Sequence, residues 1–490
     1  MKTIGLTLLT VTLTALALAA CGGNGGSGGD AANGATGGSA GNPGAAGANQ
    51  EAGASNGKGG ANGQNGTTDA DAGGNPPSSG GKQTIVFSVF WPNKQYEEAA
   101  KAYEAAHPNV DIQLKYGLSR PYSDDGGDGE QTDADIEKFT TATNAAMLAG
   151  KGPDLLDLRY LAAEDYERHH LLEDLGARMN GDKSFRKADY FANVLGAGQN
   201  ETGPFSIPLT FSLSGMVGDR AAIAATGVKI DDGAWTWDGF MAAGRQLVAA
   251  KGKYDSAIVS GEGMMVGGPD YFVRGVVADN YGSFVDEAGR KASFDSPAFT
   301  GLLERIKAMI DEGVVGSGGR AYFTNVTIQS PTDYLTSLRT FGDDTAFYVK
   351  PHADGAGKGA SFETGSDIGI NAGSEAKDAA WDFLKYMMDH TAIGLPVNKA
   401  RFRDAVASLK RQGTITPDAL GPLHGTPFKV DGARLDRLEG FAEGAARKKR
   451  DSGKVLDIVA ADSAAFFAGQ KSAEDVAKLI QNKATTVLHE

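Results

Sequence analysis

Cleaving a glycosidic bond takes two carboxylates facing that bond across a cleft, and Asp125, Asp157 and Asp270 are the acidic residues that stay open for such work. Metal chemistry has one weak candidate. Asp124-Asp125-Gly126-Gly127-Asp128-Gly129, followed by Asp135, has the carboxylates and glycine of a calcium loop, but Gly126 takes a ligand position and the closing Glu is missing. His169 and His170 are adjacent, so they point to different faces of a helix and cannot chelate one ion; a surface pair is expected. Gly-x-Ser-x-Gly occurs at 25–29 and 37–41, inside Gly-rich sequence that lacks the strand and helix of a nucleophile elbow. Gly355-Ala356-Gly357-Lys358-Gly359 has no Ser or Thr after its lysine and reads as a turn rather than a phosphate loop. The expectation is a chain with no catalytic residues, no metal and no cofactor.

Binding chemistry is better supplied. Trp91 ends the first buried strand, and Arg159 and Tyr160 lie just past the second. Ligands of open α/β sheets sit beyond the carboxyl ends of such strands, which puts the three residues on one candidate rim. An indole face can cover the C–H face of a sugar ring and exclude water. Trp237, in the first turn of a helix opened by Thr236, and Trp381, on a stripe with Leu384 and Met388, are expected in the core. Trp235 is open to either role.

Periodicity supplies the elements that would position these residues. Residues 84–90 (TIVFSVF) read as a buried strand that breaks at Trp91-Pro92-Asn93. Tyr96, Ala99, Ala100 and Tyr103 mark a helix over 96–106, and 110–116 (VDIQLKY) alternates as a second strand. A helix over 136–150, a turn at Lys151-Gly152-Pro153, a short strand at 154–158 (DLLDL) and a further helix continue a wound α/β pattern. A chain of 490 residues, 41% hydrophobic and 22% charged, can bury a large core. Its formal charge of -14 offers no field for phosphate backbones, so nucleic acid is not an expected partner. The basic run Arg447-Lys448-Lys449-Arg450 falls in a predicted helical region and is expected to be a solvated face.

The amino-terminal stretch has a different character. Lys2, an apolar run to Ala20 and the small residues Leu18-Ala19-Ala20 before Cys21 form an export signal over 1–20. Cys21 is the only cysteine, so no intrachain disulfide can form. From Gly22 to about Lys82 the composition is Gly, Ala, Asn and Ser, which cannot offset ordering entropy by burial. That segment is expected to be a tether with a reach of roughly 45 Å. Leu18-Ala19-Ala20-Cys21 also resembles the lipobox of bacterial lipoproteins, which implies diacylglycerol on the Cys21 sulfur and a place on the outer face of the cell membrane.

A wider resemblance runs through the globular part. Gly152-Pro153-Asp154-Leu155-Leu156, Leu171-Leu172-Glu173-Asp174-Leu175 and Phe205-Ser206-Ile207-Pro208-Leu209 are followed in order by three more motifs: Trp235-Thr236-Trp237-Asp238-Gly239-Phe240, Gly369-Ile370-Asn371-Ala372 and Ala380-Trp381-Asp382-Phe383-Leu384. Each is weak alone, but their order and spacing resemble bacterial extracellular solute-binding protein family 1, the maltodextrin-binding-protein-like lipoproteins of ABC importers. The resemblance implies a type II periplasmic-binding-protein-like α/β fold with two hinged lobes and discontinuous domains. Lobe one would be 83–209 and 352–392, and lobe two 210–351 and 393–490, with crossings near 207–213 and 346–352. It also implies a monomer that closes around a mono- or oligosaccharide and delivers it to the transmembrane subunits of a permease.

The same resemblance suggests further ligand contacts. Gly268-Pro269-Asp270-Tyr271, upstream of Ala278-Asp279-Asn280-Tyr281-Gly282, carries Asp270 where an aromatic is usual, which favours a hydroxyl-rich or cationic ligand. Phe211 and Ser212 would face the cleft from the hinge. The chain departs from the family at 323–334, where Tyr334 stands as the substitute for a missing Trp. Two other classes stay open: a surface carbohydrate-active enzyme, which would release products, and a ligand sensor or adhesin, which would lack neighbouring permease genes.

Overall fold

Ile85, Phe87 and Val89 alternate inward along the first strand, β1 (Gln83–Val89), and all three are buried. The computed structural model describes residues 82–489 apart from 119–131, 197–202, 234, 263–264, 288, 354–358, 418–422 and 451–452. The export signal, Cys21, the tether, the 124–129 loop with Asp125, and most of the 355–359 turn lie outside the described residues.

β1 pairs in parallel with β2 (Val110–Tyr116) on one side and β3 (Leu155–Asp157) on the other. The helix Lys94–Ala106 makes the crossover; the Asn93 side chain caps it by accepting from the Gln95 N–H at 2.9 Å, and Tyr96, Ala100 and Tyr103 form its inner face. The next helix, Asp133–Leu148, starts ahead of the predicted 136 because Thr132 and Asp135 form a capping box. The strand Asp367–Ile370 lies antiparallel between β3 and β4 (Ser206–Pro208), completing a five-stranded sheet.

Leu209 carries the chain out of this sheet. β5 (Thr210–Asp219) belongs to a nine-stranded sheet and organises it. Phe323–Ile328 runs antiparallel along one edge of β5, while the other edge holds Thr345–Tyr348 beside residues 216–219 and Ser361–Thr364 beside residues 211–214. Gly215 and Gly218 suit β5 because a Cβ there would collide with the rings of Phe347 and Phe323.

The return to the first sheet differs from the expected 346–352. Thr345–Tyr348 and Ser361–Thr364 both still bond β5, and only Asp367–Ile370 re-enters the first sheet, so the crossing is at Gly365-Ser366. β5 is 10 residues long, and two short strands are needed to satisfy its backbone groups on that edge.

The two faces of the second sheet bury different sets. Met216 and Phe323 pack under the helices Trp237–Ala249, Pro269–Asp279, Pro297–Asp311, Lys454–Phe467 and Ala473–His489. Leu213, Val217 and Ile328 face Tyr334, Leu335 and Phe402, and this cluster continues into the first sheet through Phe191, whose ring lies 5.4 Å from Phe211 and 5.2 Å from Phe402. Apolar packing therefore runs unbroken from one sheet to the other. Trp237 and Trp381 are in the core, as is Trp235, whose Nε1 donates to the Val349 carbonyl at 2.8 Å.

The basic run is not a solvated helical face. Arg447–Lys448 is a strand parallel to Ser361–Thr364, and Arg447 and Lys449 are each only 7% exposed. The Arg447 guanidinium donates to the carbonyls of Lys350 at 3.2 Å and Gly359 at 3.1 Å, and Lys449 Nζ meets Glu363 Oε1 at 2.7 Å. Carbonyls around Arg447 and a carboxylate beside Lys449, all distant in the sequence, take the place of the water that these charges, read locally, would demand.

Candidate functional site

β1 and β3 end side by side, which puts the residues after each strand together. Trp91 and Tyr160 meet with ring centroids 5.6 Å apart at 70°, and both lean on buried Phe90, at 5.2 and 4.7 Å. Phe90 is fixed from behind by Phe139 at 5.3 Å. Arg159 Cζ lies 5.7 Å from the centre of the Trp91 ring, within cation–π reach. Trp91 and Tyr160 are half-buried and Arg159 is exposed, so the three form an aromatic platform with one side open to water.

A polar layer fixes this platform from below. The Arg159 N–H donates to Asp157 Oδ1 at 3.1 Å and the Tyr96 hydroxyl donates to Asp157 Oδ2 at 3.1 Å. Burial pushes the Asp157 carboxyl above its ordinary value, opposed by Arg159 and these hydrogen bonds. Burial, and then the Asp157 charge, push the Tyr96 phenol well up, so it stays a donor. Arg159 Nη2 donates to the Gly365 carbonyl at 2.7 Å and to Ser366 Oγ at 3.0 Å. Those two residues are the return crossing, so Arg159 ties the platform to the segment that links the two sheets.

The remaining predicted contacts are dispersed. Ser212, half-buried on β5, sits opposite Glu363 in the ladder. Phe211 does not face a cleft: it is 2% exposed and points into the apolar cluster around Phe191, because side chains alternate along β5. Tyr334 does not replace a surface Trp either. Ser330 caps the helix Pro331–Ser337 and that helix turns Tyr334 inward, 2% exposed, against Phe347 at 6.0 Å and Phe441 at 6.2 Å. Asp270 and Tyr271 occupy the first turn of Pro269–Asp279 beside the second sheet; Asp270 is half-buried and Tyr271 is 60% exposed. His169 and His170 are exposed at the end of the helix Ala163–Arg168.

Sequence reasoning missed one group altogether. Arg450, from the end of the basic run, reaches Glu164 Oε1 at 3.1 Å and Glu287 Oε1 at 3.2 Å. Burial, and then the Glu164 charge, push the Glu287 carboxyl up to about 7. Burial acts the same way on Glu164, but Arg450 and a hydrogen bond with Glu287 outweigh it and hold that carboxyl below its usual range. No periodicity or motif could have joined three such distant residues; the unusual density of charge at 447–450 was the one available signal.

Residues 92–392 match the sequence model of the bacterial extracellular solute-binding proteins. The chain belongs to that family. The family is extracellular, so this solute-binding protein works outside the cytoplasm. A search of the curated proteins finds no significant match. Among solved structures, this solute-binding protein is similar to a family 1 extracellular solute-binding protein from Alicyclobacillus acidocaldarius, with TM-score 0.56, 18% identity, and 84% of this chain and 100% of that one covered. It is similar to the sugar-binding protein MalE from Xanthomonas citri, with TM-score 0.56, 13% identity, and 83% and 98% covered. It also resembles the cyclic alpha-maltosyl-1,6-maltose binding protein from Arthrobacter globiformis, with TM-score 0.51, 16% identity, and 83% and 99% covered. At such identities the likeness shows the fold: two lobes of periplasmic-binding-protein type, each built on one of the two large sheets.

Proposed function

We propose that this protein captures a mono- or oligosaccharide between its lobes by hinge closure and passes it to an ABC permease, while a lipid on Cys21 holds it at the outer face of the membrane. The observation that carries the reading is the Trp91–Tyr160 platform at the carboxyl ends of β1 and β3, tied by Arg159 to the segment that links the two sheets. Half-exposed rings that touch each other offer an apolar face of sugar-ring size, and neighbouring amides and hydroxyls can answer hydroxyl groups. The sugar ligands named for the Arthrobacter and Xanthomonas proteins support the substrate class.

In this reading lobe one takes 83–209 and 367–392, and lobe two takes 210–364 and 393–490. Asp270 and Tyr271 present the facing wall, with Ser212 at the cleft floor. Phe211 and Tyr334 support that floor from within the core. Closure needs a solute that touches both lobes and so favours the closed state by its differential affinity. Nothing in the cycle breaks a bond.

The test is thermal unfolding of the full chain against mono- and oligosaccharides, with amino acids, peptides and metal ions as controls. A bound sugar at a hundredfold excess over its dissociation constant stabilises by about 2.7 kcal/mol and is recovered unchanged. A midpoint shift from another ligand class, with none from sugars, overturns the substrate; product release overturns the binder.

A further inference from the structure

The helix Ala163–Arg168 follows β3 in one lobe, while the hairpin of Val285–Asp286 and Lys291–Ala292 and the strand Arg447–Lys448 pack with the other. These elements meet through charge. Glu164 Oε1 accepts from Arg450 Nη1 at 3.1 Å, and Arg450 Nη2 stands 3.2 Å from Glu287 Oε1. Beside them Arg290 Nη2 lies 3.7 Å from Asp165 Oδ1, which also pairs with Arg168 in its own helix. Tyr281 backs the group: its hydroxyl donates to Glu287 Oε1 at 3.1 Å and its ring lies 5.9 Å from Arg450 Cζ. Arg290 holds a left-handed φ of 51° as the hairpin turns.

We propose that Glu164 and Asp165 from one lobe, with Arg450 and Arg290 from the other, form an interlobe clasp that favours the closed arrangement without any solute. The groups are partly sheltered from water, where attraction between charges is screened less than at a free surface. Glu287 shares a lobe with Arg450. Opening the hinge therefore separates Arg450 from Glu164 while leaving its guanidinium a carboxylate, so the open state carries no stranded charge. The clasp thus sets how far the ligand-free protein is already closed, and with it the apparent affinity for whatever solute the cleft takes. The inference uses the two-lobed hinge and is independent of the solute's identity.

The experiment measures the distance between spin labels at Leu148→Cys and Lys471→Cys, one on each lobe, in the full chain carrying Cys21→Ser and with no solute present. The expected result is a dominant short distance. Glu164→Gln and Arg450→Ala each lower the closed-to-open ratio by about tenfold, the scale of a sheltered charge pair, and the double variant goes no further than the worse single. Raising the salt concentration moves the parent in the same direction. Melting midpoints show which variants are folded; if Arg450→Ala is not, Glu164→Gln on the opposite lobe carries the test. A distance distribution unchanged in Glu164→Gln, or a single long distance in the parent, overturns the clasp. Because no sugar is added, failure here is separate from failure of the saccharide screen.

Discussion

Trp91 and Tyr160 stand edge to face with centroids 5.6 Å apart, and each also rests on Phe90, so removing either ring takes one of two aromatic contacts from the other. Trp91→Ala is expected to weaken solute binding by about 2 kcal/mol while the chain stays folded, since the ring is only half-buried. Calorimetric titration checks the affinity. Trp235, Trp237 and Trp381 are buried, so a solute-induced change in tryptophan emission should disappear in Trp91→Phe.

Arg159 is expected to act on binding through the crossing between the sheets. Its bonds to the Gly365 carbonyl and Ser366 Oγ are lost in Arg159→Ala, and the expected cost is about 1 kcal/mol of solute affinity through poorer closure. Arg159→Lys should not restore it, because an ammonium cannot keep both bonds and lie over the indole. Full recovery in the lysine variant would mean that only the charge matters.

Tyr334 tests the core against the cleft. Tyr334→Ala should lower stability by about 3–5 kcal/mol, the range for truncating a buried aromatic, and leave the affinity of the folded fraction unchanged. Urea unfolding followed by titration separates the two. A large affinity loss with unchanged stability would return Tyr334 to the ligand site.

Buried Lys449, paired with half-buried Glu363, gives a contrast with a surface charge. Lys449→Met leaves Glu363 without its cation and should cost about 3 kcal/mol, whereas a solvated lysine would cost under about 0.5 kcal/mol. Pairing it with Glu363→Leu should recover much of the loss. Denaturant midpoints of the single and double variants decide it.

Closure should also respond to pH. Glu287 meets Glu164 of the opposing helix, and Tyr281 and Arg450 within its own lobe, while Asp165 and Arg168 of that helix stand beside Arg290; its carboxyl is raised from 4.5 to about 7. Opening hydrates it and returns it toward the ordinary value, so between about 4.5 and 7 the closed form holds a proton that the open form lacks. Closure and folding stability from this group therefore rise as pH falls from about 7 to 4.5, and are lost as pH rises back through 7. Glu164, held low, acts with the opposite sign only below that window. The closed fraction across this range, compared with Glu287→Gln, is the measurement; a parent that closes more as pH rises contradicts the linkage.

Local pattern in the sequence determined a good deal. The apolar run in 84–90 and the alternation in 110–116 made strands of those segments, and the Pro and Gly residues around them set their ends, because backbone preference and side-chain period act over a few residues. The order of motifs made the two-lobed solute-binding family legible. Trp91, Arg159 and Tyr160 could be placed on one rim because parallel strands must end on the same side of their sheet. Long-range pairing was decided only by the tertiary structure. Ser361–Thr364 stays with β5 because that strand still had an unsatisfied edge, which delays the return to Gly365. Phe211 and Tyr334 turn inward because apolar packing runs from one sheet to the other. Arg447 and Lys449 are buried because carbonyls and a carboxylate from 350–363 wait for them, and Arg450 meets Glu164 because two lobes come together there. A charge run carries the same local information whether its partner is water or a distant carboxylate, and only the folded chain decides between them.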